Sequence, residues 1–421
     1  MIQATRATLD AQFDAGSDAS LASRPAALLA GTTRPDIRLS IHEELAACER
    51  EWRTFEEHAD CTVFQSFDWL AAWQRHIGAR NGVRPIIVVG HDTDGKMLFL
   101  LPLAVETDGF ARRLTWLGSE LCDYNAPLLT GTFSSRVSAP RFTLLWREIV
   151  QRLKNRPHLH FDLIDFVRMP ETVGTQKNPF LQLGVAMHPS GAYQTQLGDD
   201  WEKFYADRRS SATRRRDRTK RKKLCEMGEV TFVNPHGATD VGQSFDILMR
   251  QKMKQFASMG VANMFARPGY VEFFRELATD AKTWTLVHVS RLDVGTTPAA
   301  LNFGLVFRGC YYHVLASYDD GEVSRFGPGA AHLHDLLRYA IERGCRVFDF
   351  TVGDERYKRD WSDTELKLFD HASAATMRGF GPAMTLLATR RLKRWIKQTP
   401  VLWNAFTQAR VLLGLLRKAR A

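Results

Sequence analysis

No stretch of 18 consecutive apolar residues occurs in the chain, so the sequence offers no candidate for a membrane-spanning helix. Cysteine is scarce and scattered. The six residues at 48, 61, 122, 225, 310 and 345 include no Cys-x-x-Cys pair, which argues against a metal or redox centre, while spacing alone leaves disulfides open. Histidine gives no metal motif either: His42 opens HEEL without a second histidine four residues on, and His332 and His334 point apart on a helix. No metal is expected. Acidic residues are missing from the segment 371–421, which holds ten Lys and Arg; outside it 47 basic residues balance 47 acidic ones, so the formal +10 lies entirely in the tail.

What is present fits two domains. The chain has 421 residues and 44% hydrophobic content, enough for ordinary cores. Residues 1–36 are rich in Ala, Ser, Thr and Asp, and their longest apolar run, Pro25 to Ala30, is too short for a signal-peptide core. A disordered leader and a cytoplasmic location are expected. An order of elements then occurs twice. Pro85–Gly90, a turn over Asp92–Lys96, Met97–Val105, an apolar helix around Leu144–Leu153 and a strand Phe161–Phe166 are matched by Trp284–Leu292, a turn over Asp293–Pro298, Ala299–Phe307, a helix from Ala330 and a strand ending in RVFDF. Asp165-Phe166 thereby corresponds to Asp349-Phe350. The first copy lacks a Gly-Pro-Gly turn before its helix and lacks the loop GDERYK, so only the second copy is expected to carry chemistry.

The densest unit runs from Phe303 to Trp361. Leu333, Leu336, Leu337, Ala340 and Ile341 form one helical stripe, with Gly344 where a left-handed C-terminal residue belongs. Just before this helix, Gly327, Pro328 and Gly329 let the backbone approach a ligand, and the N–H groups of a first turn favour an anion such as a pyrophosphate, with Arg325 adding charge. After the helix, alternation places Phe348, Phe350 and Val352 on one strand face and Val347, Asp349 and Thr351 on the other. The strand ends in a polar loop. Its carboxylates, phenol and cations are a mixture that acyl transfer can use. Asp354 or Glu355 is a candidate base, with Asp349 an equal candidate if its face lines the cleft. Lys358 is the candidate cation for a developing oxyanion, and Tyr357 the proton donor to a leaving thiolate.

Ala299–Asn302, YYHVLASYD, FGPGAAHLHDLL and DFTVGDERYKRDW together resemble the acetyltransferase-like family named after CelD/BcsL, a branch of the GNAT acyl-CoA transferase superfamily related to the Fem aminoacyltransferases. The resemblance runs from Leu39 to Phe380. It implies an α/β (α+β) fold of two tandem GNAT-like modules, each a mixed, mostly antiparallel sheet flanked by helices: a noncatalytic module over 37–195 and an acyltransferase module over 196–380. It implies acetyl-CoA or another acyl-CoA as donor, bound by Ser324, Arg325, Phe326, Gly327, Pro328, Gly329 and Ala330, and an acceptor drawn from envelope or exopolysaccharide precursors. The usual pyrophosphate loop of that superfamily begins with Gln or Arg, where this chain has Ser324, and Pro328 removes one donor. Aminoacyl-tRNA, as in the Fem relatives, therefore stays open as the carrier.

Two basic segments complete the reading. Lys203–Lys223 holds eleven Lys and Arg, spread around a helix so that no face is expected to be buried, after Trp201, Phe204 and Tyr205 as an anchor. Its partner is expected to be polyanionic: a sugar nucleotide, a lipid-linked pyrophosphate, an acidic glycan or RNA. Arg214, Arg215, Arg218 and Arg221 are the candidate acceptor-binding residues. At the other end, 381–421 reads as a basic amphipathic helical tail, with Val401, Leu402, Trp403, Phe406, Leu412, Leu413 and Leu416 on an apolar pattern; an anionic membrane surface and a docked position on the domain are the alternatives. A noncatalytic polyanion-binding protein is the competing function class.

Overall fold

The computed structural model describes residues 37–259, 263–399 and 402; the expected leader and most of the expected tail pattern lie outside them. Strand-forming stretches and helices alternate along the chain in two rounds. The first supplies β1 (Arg38–His42), β2 (Arg84–His91), β3 (Met97–Asp108), β4 (Ala111–Trp116), β5 (Leu128–Leu129), β6 (Leu163–Pro170), the ribbon β7 (Thr172–Val173) and β8 (Gln176–Lys177), and β9 (Ala186–Met187), with helices α1 (Glu49–Glu56), α2 (Phe67–Trp73), α3 (Phe133–Arg136) and α4 (Ala139–Lys154). The second supplies β10 (Ala192–Gln196), β11 (Val230–Val233), β12 (Val287–Val294), β13 (Thr297–Phe307), β14 (Cys310–Tyr318), β15 (Val347–Val352), β16 (Thr364–Leu366) and β17 (Leu368–Ala374). Its helices are α5 (Trp201–Arg208), α6 (Ser211–Met227), α7 (Gly237–Met259), α8 (Tyr270–Thr279), α9 (Pro328–Glu342), α10 (Arg356–Trp361) and α11 (Met377–Gln398).

The repeat seen in the sequence is a repeat of topology. One sheet runs β1-β2-β3-β4-β6-β17-β9 and the other β11-β12-β13-β14-β15-β10-β16. Each is antiparallel except for one parallel pair in its middle, β4 with β6 and β14 with β15. A parallel pair needs a crossover, and α4 and α9 provide it. In α9 all five predicted stripe residues are buried, and Gly344 has φ 79° beyond the helix end. In α4 the buried face is Phe142, Leu145, Trp146, Ile149 and Leu153, whereas Leu144 is turned outward.

Next to each parallel pair lies a strand from the other side of the module limit inferred at 195/196. β17 pairs with β6 through Ala372↔Asp165 and Ala374↔Leu163, while β10, which begins at Ala192, pairs with β15 through Gln194↔Asp349. The sheets thus exchange strands and are not separable at one point of the chain. Helices of the two rounds share one apolar core in addition. Trp69 of α2 meets Phe273 of α8 edge-on at 4.9 Å and Phe274 at 6.0 Å, and Trp52, Phe64, Trp73, Phe245, Phe303 and Tyr270 are buried around them. Each such aromatic contributes on the order of 2–3 kcal/mol by burial.

No residue of α6 from Ser211 to Lys223 is buried; the first is Leu224, one position beyond the basic segment, fully enclosed against Val294, Ala299 and Val323, with Met227 and Phe326 beside it. A single leucine among cations suffices because the long basic side chains need only their stems covered.

Candidate active site

The parallel pairing of β14 with β15 lasts for three residue pairs, Cys310↔Val347, Tyr311↔Phe348 and Tyr312↔Asp349. Beyond Asp349 it stops. Two irregularities account for this: β13 and β14 shift register between Phe303 and Gly304, and Thr351 takes φ 60°, a left-handed conformation that costs a β-branched residue about 1–3 kcal/mol. The strands therefore part at the residue whose side chain is a carboxylate.

Asp349 lies on the face away from Phe348 and Phe350, which pack under α9 in the second module's core. Its Oδ1 accepts from the Tyr124 hydroxyl at 2.7 Å and from the Thr351 N–H at 2.7 Å. Tyr124 belongs to the first module, held by Phe64, whose ring also meets Tyr312. Burial pushes the Asp349 carboxyl up to about 7; the two hydrogen bonds and Lys358 oppose the shift, and Asp123 reinforces it. Asp123 is itself raised by burial, against the pull of Arg168 and Lys358. Its neighbour Arg168 is 3.6 Å away.

Lys358 is buried, donates to the Val352 carbonyl at 2.7 Å and sits 3.2 Å from Glu355, whose side chain is largely exposed. Lys252 of α7 donates to the Ala316 carbonyl of β14 at 2.9 Å, and burial holds its ammonium below the usual lysine range. His313 faces the same cations and is kept neutral, lowered to about 3 chiefly by burial and then by Lys358. Tyr357 stands edge-on to His313 and Phe350, with burial raising its phenol. So four of the five proposed catalytic residues, Asp349, Glu355, Tyr357 and Lys358, gather in one cluster. Asp354 does not join them. It pairs with Lys397 of α11 at 2.7 Å, beside a separate cavity of about 400 Å³ lined by Tyr193, Arg359 and Glu365.

The glycine turn forms a second centre. Gly327 caps α9 with φ 69° and ψ 56°, where only glycine is relaxed, and Pro328 occupies the first turn. The Ala330 and Ala331 N–H groups donate back to the Gly327 carbonyl, so fewer of the first-turn donors are turned outward than the motif implies. Cations from α6 take their place. A Cβ at Gly327 would lie 3.7 Å from Lys220 Nζ, and a cavity of about 130 Å³ over the turn is lined by Lys220, Arg218, Arg221, Arg209, Phe326, Gly327 and Ala330. Arg221 is tied to Asp335 of α9 at 2.8 Å. Its floor is aromatic: Tyr205, stacked on Trp201 at 5.2 Å and on Trp361 at 6.0 Å, with Arg209 over Trp361 at 4.8 Å.

The expected residues at this centre divide. Arg218, Arg221, Phe326, Gly327 and Ala330 converge on the cavity. Arg214 and Arg215 do not line it, nor do Ser324, Gly329 and Pro328. Gly329 instead backs onto the Tyr318 ring, and Arg325 is exposed with its guanidinium stacked 4.8 Å over Phe326. Lys358 does not line this cavity and faces the Asp349 cluster. The sequence reading missed Tyr124, Asp123, Lys252 and Lys220. Only Lys220 had a local signal, since it faces the glycine turn one residue before Arg221. Among the described residues no group of His, Cys, Asp or Glu is arranged to hold a metal, and all six cysteines are unpaired.

Residues 211–359, from the start of α6 into α10, match the family described as acetyltransferase (GNAT) domain. No curated protein matches the chain. Among solved structures the chain is similar to FemX, at 10% identity and TM-score 0.52, covering 78% of this chain and 96% of that one. It is similar too to a conserved protein of unknown function from Bacteroides thetaiotaomicron, at 10% identity and TM-score 0.50, covering 79% and 99%. The fold is that of two GNAT-like modules in tandem, and the class defined by fold and domain match is an acyltransferase enzyme.

Proposed function

We propose that the second module, with β10 completing its sheet, moves an acyl group from acetyl-CoA or another acyl-CoA to an amine or hydroxyl of an envelope or exopolysaccharide precursor in the cytoplasm, as the CelD/BcsL resemblance implies, and that the first module is noncatalytic. The observation that carries this is Asp349, a buried carboxyl poised at about 7 where β14 and β15 part, gripped by a tyrosine from the other module. A base working near neutral pH needs that poise.

The residues present fit the donor. The cationic cavity over Gly327 suits a diphosphate, and an extended arm from it would run along β14 and β15 where their ladder ends at Asp349. A thioester supplies an activated carbonyl when bound. Asp349 takes the N–H or O–H proton of the acceptor as its lone pair attacks that carbonyl. Lys358 and Lys252 face the developing negative charge, and the C–S bond breaks with Tyr357 returning a proton to the sulfur. Tyr124 holds the Asp349 carboxyl in place. The cations of α6 bind the anionic donor or an anionic acceptor such as a sugar nucleotide or lipid-linked pyrophosphate.

The likeness to FemX and the exposed cations of α6 favour one second reading, aminoacyl transfer from aminoacyl-tRNA at the same site. Incubating the protein with acetyl-CoA and amino- or hydroxy-sugar acceptors, and following free thiol, separates the two. Acceptor-dependent thiol release that disappears in Asp349→Asn is expected. Transfer from charged tRNA without any response to acyl-CoA would replace this reading by the second, and polyanion binding with neither activity would leave only a binding protein.

A further inference from the structure

α11 is amphipathic in the wrong sense for a helix packed on a soluble domain. Its inward face combines small apolar residues with cations: Gly379 and Ala383 are buried, Ala383 against Ala111 and Leu163, while Arg390 reaches Asp165 at 2.6 Å and Asp370 at 3.6 Å, and Lys397 reaches Asp354. The large apolar side chains point outward. Met377 is 92% exposed, and Phe380, Met384, Leu392 and Trp395 each expose about half or more of their surface. Spacings of three, four, eight and three residues keep all five on one face at 100° per residue. Phe110, on the β3–β4 turn and 66% exposed, extends the same surface, with Arg378 lying 5.8 Å over its ring. An apolar stripe about five turns long, joined by an exposed phenylalanine from a hairpin, exceeds the scattered hydrophobes of an ordinary surface.

Charge identifies what covers it. Arg378 flanks the stripe and Arg391 lies within it, both exposed, and no acidic residue occurs anywhere from 371 to 421. A second copy of this face, or the remaining cationic tail of the chain folded back on it, would set cation against cation. An anionic lipid surface supplies both the apolar layer for Met377, Phe380, Met384 and Trp395 and the negative headgroups for the rim, and tryptophan is at home at that boundary. We propose that α11 and Phe110 form a docking face that lies in the interface of an anionic membrane, without crossing it. Among the described residues no helix is long and apolar enough to cross.

The test is flotation of the full-length protein with phosphatidylcholine vesicles, with and without about 30% phosphatidylglycerol. Binding is expected only with the anionic lipid and weakens as NaCl rises from about 0.1 to about 0.5 M. The double substitution Phe380→Asp with Trp395→Asp, at exposed positions that leave the circular dichroism spectrum unchanged, lowers partitioning at least about tenfold. Arg378→Glu with Arg391→Glu lowers it by a similar factor on anionic vesicles. Unchanged flotation of the Phe380/Trp395 variant, with loss only on Trp403→Asp, would assign the anchor to the tail and overturn the proposal. A concentration-dependent dimer that Phe380→Asp dissociates in ultracentrifugation would give the face to a second copy and overturn it equally.

Discussion

Asp165 and Asp349 follow the same topological path, each in the second strand of a parallel pair, each followed by a buried phenylalanine, yet they meet different surroundings. Asp165 is met by Arg390 at 2.6 Å and Arg113 at 3.8 Å, so its charge is matched. Asp349 meets a phenol and an amide, and its nearest charged influences, Asp123 and Lys358, oppose each other. One module converts the carboxylate into a tie for α11, and the other leaves it as an acid that titrates near neutrality. The difference lies in what packs against the strand and not in the strand, which is why a duplicated fold can keep chemistry in one copy alone.

The largest effect that sharpens this contrast is on turnover. Asp349→Asn lowers kcat of the proposed transfer by about a thousandfold, whereas Asp165→Asn leaves kcat within about twofold and destabilises the protein by about 2–3 kcal/mol, because Arg390 keeps only the longer contact with Asp370. Steady-state kinetics and chemical denaturation on the pair measure both; equal kinetic effects would erase the distinction. The same substitution has an opposite thermal signature. Burial raises Asp349 to about 7 from 3.8, so between these values the native state holds a proton that the unfolded chain has released, and stability falls as pH rises through that window. Asp349→Asn removes this slope and raises Tm above pH 7 by a few degrees, measured by calorimetry across pH.

Next in size is donor binding. Lys220→Ala or Arg218→Ala raises the donor KM about tenfold with kcat nearly unchanged, because these cations meet the part of the donor that does not react. No change in KM would move the donor away from Gly327. Tyr124→Phe is smaller and directional: losing a hydrogen bond to the charged carboxylate raises the Asp349 pKa, so the ascending limb of the pH–rate profile shifts to higher pH by up to about one unit. An unshifted limb would show that Asp349 is not the titrating group. Smallest is Gly327→Ala, which forces a Cβ into φ 69° and costs about 1 kcal/mol, visible in the denaturation midpoint.

Local patterns carried most of the architecture. The α9 stripe, the alternation of β15, the hairpin turns and the Asp-Phe repeat each depend on residues within a few positions of one another, and each was legible before the fold was known. The shared core of α2 and α8, the partner of Asp349 and the exchange of β10 and β17 depend on residues more than a hundred positions apart, which no periodicity records. Tyr124 stands in an irregular loop, and nothing in its neighbours marks it as the residue that closes the site. Lys397 removed Asp354 from the candidate bases for the same reason: the polar loop looks uniform in sequence until a helix from elsewhere neutralises one end of it.

The exchanged strands also set an order of events during synthesis. β6 leaves the ribosome about two hundred residues ahead of β17, its antiparallel neighbour, and until then it is an open hydrogen-bonding edge on an unfinished sheet. The nascent first module cannot close early, and a product truncated before Leu368 carries a permanent sticky border. Fragments cut at the module limit should therefore aggregate when made alone, and two such halves mixed together should restore each other, each donating the strand that the other lacks.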